Sequence, residues 1–523
     1  MDPDLDRFDS RRSTVYAPRG VVATSQPLAA AAGRELLDAG GNAFDAAVAT
    51  AAALNVVEPT STGLGGDVFA MYRTANGDVG AMRAAGHAPE GTAIERVREA
   101  VAESDGGDPA EATMPEHGPH AVTVPGTARG WEATVERFGE LALADALQPA
   151  IRLANEGYPV TEVVSAQWQH AEDLFEDDHA REAYLFDGAA PAVGQEVALP
   201  KLGQSLERIA EAGADVVYEG EIAEAIASEV QAKGGYLTVE DLASFEVEWP
   251  EPLSTTYNGT EVYELGPQNQ GQIALEALNV ASEIGAGEHP YDSPERVHAF
   301  VEAMKVAFRD GHHYITDPNF EPVKALHDPA YAADRAGLLG EAPLDPVPLG
   351  SPGASEDGDT VLLTVADDAG NLVSFINSRY MGFGSGLVAG DTGIALQNRG
   401  ASFSLDPDDP NSLAGGKRPF HTLMPGLVRF GADDWAAFGT MGGYMQPQGH
   451  VQLVSNVVDY GMPIQAALDA PRWRYREDGA VAIEERFPDG VASKLARRGH
   501  DVRIQEPSLF GGAQLRPNEA GTL

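Results

Sequence analysis

Cysteine is absent from the chain, which rules out disulfides, a thiolate nucleophile and any zinc site built on cysteine. Lysine is nearly absent, with six in 523 residues: Lys201, Lys233, Lys305, Lys324, Lys417 and Lys494. All cations together number 35 against 80 acids, a net charge of −45. Nucleic acid is therefore excluded as a partner, because a polyanion needs a basic footprint. The acids are scattered over every segment and do not form a tail. That pattern fits a halophilic surface, since molar salt screens self-repulsion over about 3 Å. Long apolar runs are missing too: none approaches the roughly 20 residues of a membrane span. The first residues, MDPDLDRFDSRR, are acidic where a signal peptide would be basic and then apolar. A cytoplasmic protein with no membrane partner is expected, with disorder confined to that opening dozen.

What is present is a long folded chain, hydrophobic at 43% of its residues, enough for about three domain-sized units. Its first half alternates helices and short strands. PLAAAAGRELLDAGGNAFDAAVATAAALNVVEP carries apolar residues at helical spacing on both sides of Gly40-Gly41, which predicts a helix, a glycine stop and a second, buried helix. TSTGLGGDVFAMYR reads as a glycine-rich turn into a strand. Its glycines do not fit dinucleotide or phosphate-loop spacing and are assigned to tight packing. PERVHAFVEAMKVAFRDGHHYITDP predicts an amphipathic helix whose His312 and His313 are surface or core residues, for no H-E-x-x-H pattern surrounds them. Neither metal nor cofactor is expected, as the thirteen histidines show no ligand spacing.

From residue 360 the texture changes to strands and turns. TVLLTVA and LVSFINS flank DDAGN, whose Asp, Gly and Asn suit a short hairpin loop. A loop centred on Ala369 sets Ser378 opposite Thr360, and a slip of one residue would set Asn377 there. Thr360 alone also fits an ordinary strand opener. In WAAFGTMGGYMQPQGHVQLVSNVVDYG a strand leads through Gly442-Gly443 into a helix with Val451, Val454, Val457 and Val458 at core spacing. Such a pair leaves backbone N–H groups beside the positive end of a helix dipole, where they can hold an oxyanion, although any tight turn uses glycine as well.

Taken in order, these pieces resemble one family. GGNAFDAAVATAAALNVVEP, TVPGTARGW and GGYLTVEDLASF, followed by DTVLLTVADDAGNLVSFINS, GFGSGLVAGDTGIALQNRG, GGKRPFHTLMP and GTMGGYMQPQGH, are similar to the blocks of the γ-glutamyltranspeptidases over nearly the full length. The resemblance implies an α+β fold, the four-layer αββα sandwich of the amino-terminal nucleophile (Ntn) hydrolases. It also implies a proenzyme that cuts itself between Asp359 and Thr360, giving a large subunit 1–359 and a small subunit 360–523 that share one intertwined core. Thr360 would be the nucleophile, activated by its own new α-amine, whose reference pKa is about 7.7 to 8.0. Ser378 falls where the family places a second hydroxyl, and Gly442 and Gly443 match its oxyanion glycines. No cofactor is implied. The partners are a small-molecule amide and the chain's own cleaved fragment, and the family also allows a dimer of such pairs.

The substrate pocket departs from the pattern of the best-known members. Counting back from Pro89, their carboxylate-binding arginine is replaced by Ala85, with Arg83 two places out of register. Their Asn, Gln and Asp around the glutamyl α-amine correspond to Tyr380, Arg399 and Ser402, and a serine pair corresponds to His421 and Thr422. An ammonium would thus face a guanidinium, an unfavourable exchange in a partly desolvated site. INSRYMGFGSG, LQNRG, KRPFHT and GGYMQPQGH are more similar to a divergent branch that includes oxamate amidohydrolase. The expected substrate contacts are Arg399, Tyr380, Asn377, His421 and Thr422. Arg399 would grip a small carboxylate bidentately, unless it merely pairs with a surface acid. Two alternatives stay open: an ordinary γ-glutamyltranspeptidase with an altered glutamyl pocket, and an inactive homologue with a binding role.

Overall fold

Gly40-Gly41 separates two helices as the spacing predicts. Helix α1 spans Pro27–Asp38 and α2 spans Ala43–Val57. Asn42 caps α2 by accepting from the N–H groups of Phe44 and Asp45, and Asp45 returns the bond to the Asn42 N–H. Every residue of α2 is buried, because one side meets a sheet and the other meets further helices. The computed structural model describes residues 8, 10, 13–322, 324–347 and 358–518. The opening dozen, expected to be disordered, falls mostly outside these.

Two five-stranded antiparallel sheets make the centre. Their strands are β1 (Gly20–Thr24), β2 (Asp67–Arg73), β3 (Val79–Ala84), β4 (Leu253–Tyr257), β5 (Thr260–Glu264), β6 (Gly358–Asp367), β7 (Leu372–Met381), β8 (Gly426–Arg429), β9 (Trp435–Thr440) and β10 (Ala513–Asn518). The first sheet has the order β1-β6-β7-β2-β3 and the second β10-β9-β8-β5-β4. Alternation sorts the residues of β6 between two cores. Leu362 and Ala366 join Ile376, Phe69, Leu427 and Ala437 between the sheets. Val361, Leu363 and Val365 face α2 and its neighbours. The outer face of the second sheet, with Val262, Val428 and Phe438, packs on α3 (Gly271–Glu283), α4 (Pro294–Tyr314) and α5 (Met445–Val458). Helix, sheet, sheet, helix is the expected four-layer sandwich. Each sheet mixes strands from before and after position 360.

The β6–β7 hairpin keeps the pairing that a loop centred on Ala369 sets: Val361 opposes Asn377, Leu362 opposes Ile376, and so on to Ala366 and Leu372. The pairing shifts between Asp359 and Val361, since Asp359 opposes Tyr380 and Gly358 opposes Met381. Two residues of β7, Ser378 and Arg379, therefore stand against one residue of β6, Thr360. This is a β-bulge, which bends the strand and re-aims side chains. Glycines of the GLGG turn permit close approach, as their sequence suggests. A Cβ at Gly66 would lie 2.3 Å from the Ser378 carbonyl oxygen, and one at Gly65 equally close to that of Ala395.

Burial of this extent has to hold in a chain that carries 80 acids against 35 lysines and arginines. Carboxylate repulsion opposes the compact state over a Debye length of about 10 Å at 0.1 M salt and much less in molar salt. The melting temperature is expected to rise by on the order of 10 °C between 0.1 M and 2 M KCl. Differential scanning calorimetry across that range checks this, and a flat Tm contradicts the halophilic reading.

Candidate active site

The bulge in β7 organises the site. Tyr380 has φ +83°, rare for a residue with a side chain. The conformation is held from both sides: the Tyr380 N–H donates to Ser378 Oγ at 2.9 Å, the Asn398 N–H donates to the Arg379 carbonyl at 3.3 Å, and the Met381 N–H donates to Asn398 Oδ1 at 3.1 Å. Such over-determined strain is characteristic of functional sites. Ser378 continues the alternation of Ser374 and Ile376 and is fully buried. The backbone of Thr360 lies in β6, while its side chain and that of Asp359 lie outside the described residues.

Beside the bulge is a buried charged cluster. Arg399, Asp67 and His421 each have 0% exposure. Arg399 opens a short 3-10 turn, Arg399–Ser402, and its guanidinium lies over the Tyr380 ring at 4.3 Å. Its Nη1 donates to Thr422 Oγ1 at 2.9 Å. Its Nε is 3.9 Å from Asp67 Oδ2, too far for a hydrogen bond, and Nε and Nη2 have no hydrogen-bond partner among the described residues. Asp67 opens β2 directly after the glycine turn. Its Oδ1 accepts from Gln397 Nε2 at 3.0 Å and its Oδ2 from His421 Nε2 at 3.0 Å. The His421 tautomer follows from its other nitrogen: Nδ1 accepts from the Leu423 N–H at 3.2 Å, so the proton is on Nε2.

The electrostatics agree with that assignment. Burial holds His421 well below the usual imidazole range, and Arg399 and then Arg83 push it further down, so His421 is neutral. Burial pushes the Asp67 carboxyl up to about 7 against the opposing pull of Arg399 and Gln397. Arg399 is lowered by burial to about 10 and stays cationic at neutral pH. Tyr444 closes the far side. Burial raises its hydroxyl well above the phenolic range, and that hydroxyl shares a hydrogen bond with the Tyr380 side chain.

Gly442 and Gly443 lie between β9 and α5 with φ +108° and +53°. Their carbonyls are occupied, Gly442 by the Met445 N–H at 2.8 Å and Gly443 by the Gln446 N–H at 3.2 Å. Neither glycine N–H has a partner among the described residues. Successive N–H groups without an acceptor make such a turn a candidate anion site. Gln270 ties it to the charged cluster, since its Nε2 donates to the carbonyls of Thr422, at 2.6 Å, and Gly443, at 3.1 Å.

Several expected residues come together here and others do not. Arg399, Tyr380, Thr422 and His421 form one cluster. Asn377 falls on the opposite, helix-facing side of β7 from Ser378. Its Nδ2 donates to the Asp67 carbonyl at 2.8 Å and to Thr127 Oγ1 at 3.0 Å, and its Oδ1 is buried with no hydrogen-bond partner among the described residues. Arg83 is likewise spent on the carbonyls of Gly266 and Pro267 and on Glu248. Ser402 Oγ is buried with no partner among the described residues. His312 sits among Phe308, Phe420 and Tyr444, and His313 is exposed. One cluster escaped the search for ligand spacing: His298, Glu302 and His500 lie with their ligand atoms within 4.8 Å of one another. Its polar atoms are already engaged. His298 Nδ1 and His500 Nε2 are 2.8 Å apart, His298 Nε2 donates to Gly340, and Lys305 sits 2.8 Å from Glu302. Asp67, Gln397 and Tyr444 are the site members the sequence did not disclose. The one available signal was an acid heading an otherwise apolar strand, GGDVFAMY.

Two facing sheets between helical layers, with a bulged hairpin at a threonine and a glycine concavity beside it, define the Ntn-hydrolase class. Comparison with known proteins agrees. The family model described as Gamma-glutamyltranspeptidase matches residues 29–522. The chain is 37% identical to the glutathione hydrolase-like YwrD proenzyme of Bacillus subtilis over 98% of this chain and 97% of that protein. It is 34% identical to the oxamate amidohydrolase proenzyme of Klebsiella pneumoniae over 94% of this chain and 93% of that one. The crystal structure of cephalosporin acylase from Bacillus halodurans superposes with a TM-score of 0.89 at 43% identity, covering 99% of this chain and 95% of that one. The chain belongs to the gamma-glutamyltranspeptidase family. Among the described residues no helix is long and apolar enough to cross a membrane.

Proposed function

We propose that this protein is a self-cleaving amide hydrolase whose acyl donor carries a small carboxylate close to the scissile bond. Cleavage between Asp359 and Thr360 frees the Thr360 amine. Thr360 then attacks the donor carbonyl, its α-amine taking the hydroxyl proton, and the Gly442 and Gly443 N–H groups hold the oxyanion. The amide nitrogen leaves, and water releases the acyl group from the Thr360 ester. Ser378 braces the nucleophile from the other strand of the hairpin. The relatives, which include an oxamate amidohydrolase, a glutathione hydrolase-like protein and an acylase, all proenzymes, support this reading.

The observation that carries the substrate reading is the Nε/Nη2 edge of Arg399, fully buried and unpartnered beside the bulge. Asp67, 3.9 Å from Nε, offsets the charge without a hydrogen bond; two buried donors left without an acceptor are costly, and this edge presents them in parallel, as suits a carboxylate. A γ-glutamyl α-ammonium in the same place would meet a like charge.

Processed protein in molar KCl is assayed on oxamate and on γ-glutamyl-p-nitroanilide with glycylglycine. Oxamate hydrolysis is expected to dominate. Arg399→Ala is expected to raise KM for oxamate by the equivalent of about 1.5 to 3 kcal/mol, and Arg399→Lys to recover only part, since the planar fork is lost. Robust transfer from the γ-glutamyl donor that Arg399→Ala leaves unchanged would favour the ordinary transpeptidase instead.

A further inference from the structure

The edge of Arg399 that would receive a substrate carboxylate is not electrostatically empty. Asp67 Oδ2 lies 3.9 Å from Nε, which is one of the two unpartnered donors of that edge. A carboxylate seated bidentately on Nε and Nη2 would therefore stand next to the Asp67 carboxylate, with one guanidinium between two acids. The other groups facing Asp67 do not supply a second positive charge. His421 is neutral and already donates its only N–H proton to Oδ2, Gln397 is uncharged, and Tyr218 near Asp67, like Tyr380 and Tyr444 near Arg399, is a phenol. Arg83 acts on His421 from further away and is bound to Glu248.

Building on the carboxylate reading above, we infer that Asp67 is a specificity-determining residue: a substrate carboxylate binds at Arg399 only together with one proton from solvent, which the Asp67 and substrate carboxyl groups share. Two carboxylates at close range in a buried site do not both ionise. With the proton bound, the cluster of Arg399, Asp67 and ligand is neutral overall. Without it, a net negative charge is buried with no counter-ion. The elevated titration of Asp67, near 7 in the free site, makes that proton available at physiological pH. Asp67 also positions Arg399, but a purely structural acid would require no proton on binding. The consequence for specificity is that carboxylate-bearing donors lose affinity as pH rises, whereas uncharged donors do not.

The probe is oxalate, a small dicarboxylate, titrated calorimetrically into processed wild-type protein in molar KCl, in two buffers of different ionisation enthalpy. The expected result is uptake approaching one proton per oxalate at pH 8 and little at pH 6, with Kd rising about tenfold per pH unit above pH 7. Because the Thr360 amine also titrates near pH 8, Asp67→Asn provides the control: uptake should vanish and oxalate should bind more tightly at pH 8 than to wild type. Undiminished uptake in Asp67→Asn, or binding by the wild type with no uptake at either pH, overturns the inference. If Asp67→Asn does not fold, the uncleaved Thr360→Ala chain, which has no free amine at 360, replaces it: uptake of a proton with oxalate at pH 8 that persists there supports the inference, and uptake that disappears overturns it. Oxalate that fails to bind the wild type at both pH values overturns the carboxylate reading itself, an outcome distinct from binding without protons.

Discussion

Thr360→Ala is expected to remain a single chain of 523 residues with no amidase activity. On the mechanism proposed above, the Thr360 hydroxyl of the wild type would attack the carbonyl of Asp359, a C–O bond forming as the C–N bond breaks, and water would then hydrolyse the ester to leave fragments 1–359 and 360–523. Alanine has no hydroxyl and removes both this step and the later nucleophile. The strand geometry supports the position: the β6–β7 ladder holds Asp359 opposite Tyr380 and then breaks at Thr360, where Ser378 and Arg379 bulge, so the backbone at 360 is released from regular pairing. The two fragments should stay together through denaturant-free chromatography. β6 lies between β1 from the large fragment and β7 from its own, and β8 pairs with β5 across the cut. Intact-mass measurement distinguishes the forms, and Thr360→Ser, which keeps a hydroxyl, should restore cutting. A wild type that is fully active while uncut would contradict the mechanism.

How far the sequence reveals this arrangement depends on the range of the interaction involved. The hairpin was legible because its turn chemistry and alternation are local: DDAGN fixes the loop, and pairing from Val361 to Ala366 follows. The bulge was not, since it arises from contacts with Asn398 and the packing of Gly66 on Ser378, both far away in sequence. Arg399, His421 and Thr422 were found by family position. Their arrangement around Asp67 joins residues 354 apart for His421, a relation that no local pattern encodes. The face on which Asn377 lies was hidden for a related reason. One place along a strand separates it from Ser378, and only the observed register shows that it faces the helices. The His298–Glu302–His500 cluster was missed because its third member comes from the end of the chain.

Gly442→Ala should reduce kcat by about 100- to 1,000-fold while leaving KM within about threefold. Packing is not the reason: a Cβ at Gly442 would meet Met445 Cβ at 3.4 Å and Gly511 Cα at 3.6 Å, ordinary contacts. The obstacle is φ +108°, which a residue with a side chain rarely adopts. To relieve it the backbone must rotate, and rotation turns the N–H groups of Gly442 and Gly443 away from their shared concavity. In the proposed function ground-state binding rests on Arg399, which Thr422 Oγ1 and the Tyr380 ring hold through contacts that do not involve Gly442. The loss therefore falls on the transition state, where charge develops on the oxygen. Steady-state kinetics on the purified cleaved fraction, with cleavage verified by mass, separates this effect from a failure to mature. A near-wild-type kcat would show that the oxyanion is held elsewhere. A rise in KM with kcat unchanged would place the glycine pair in substrate binding instead.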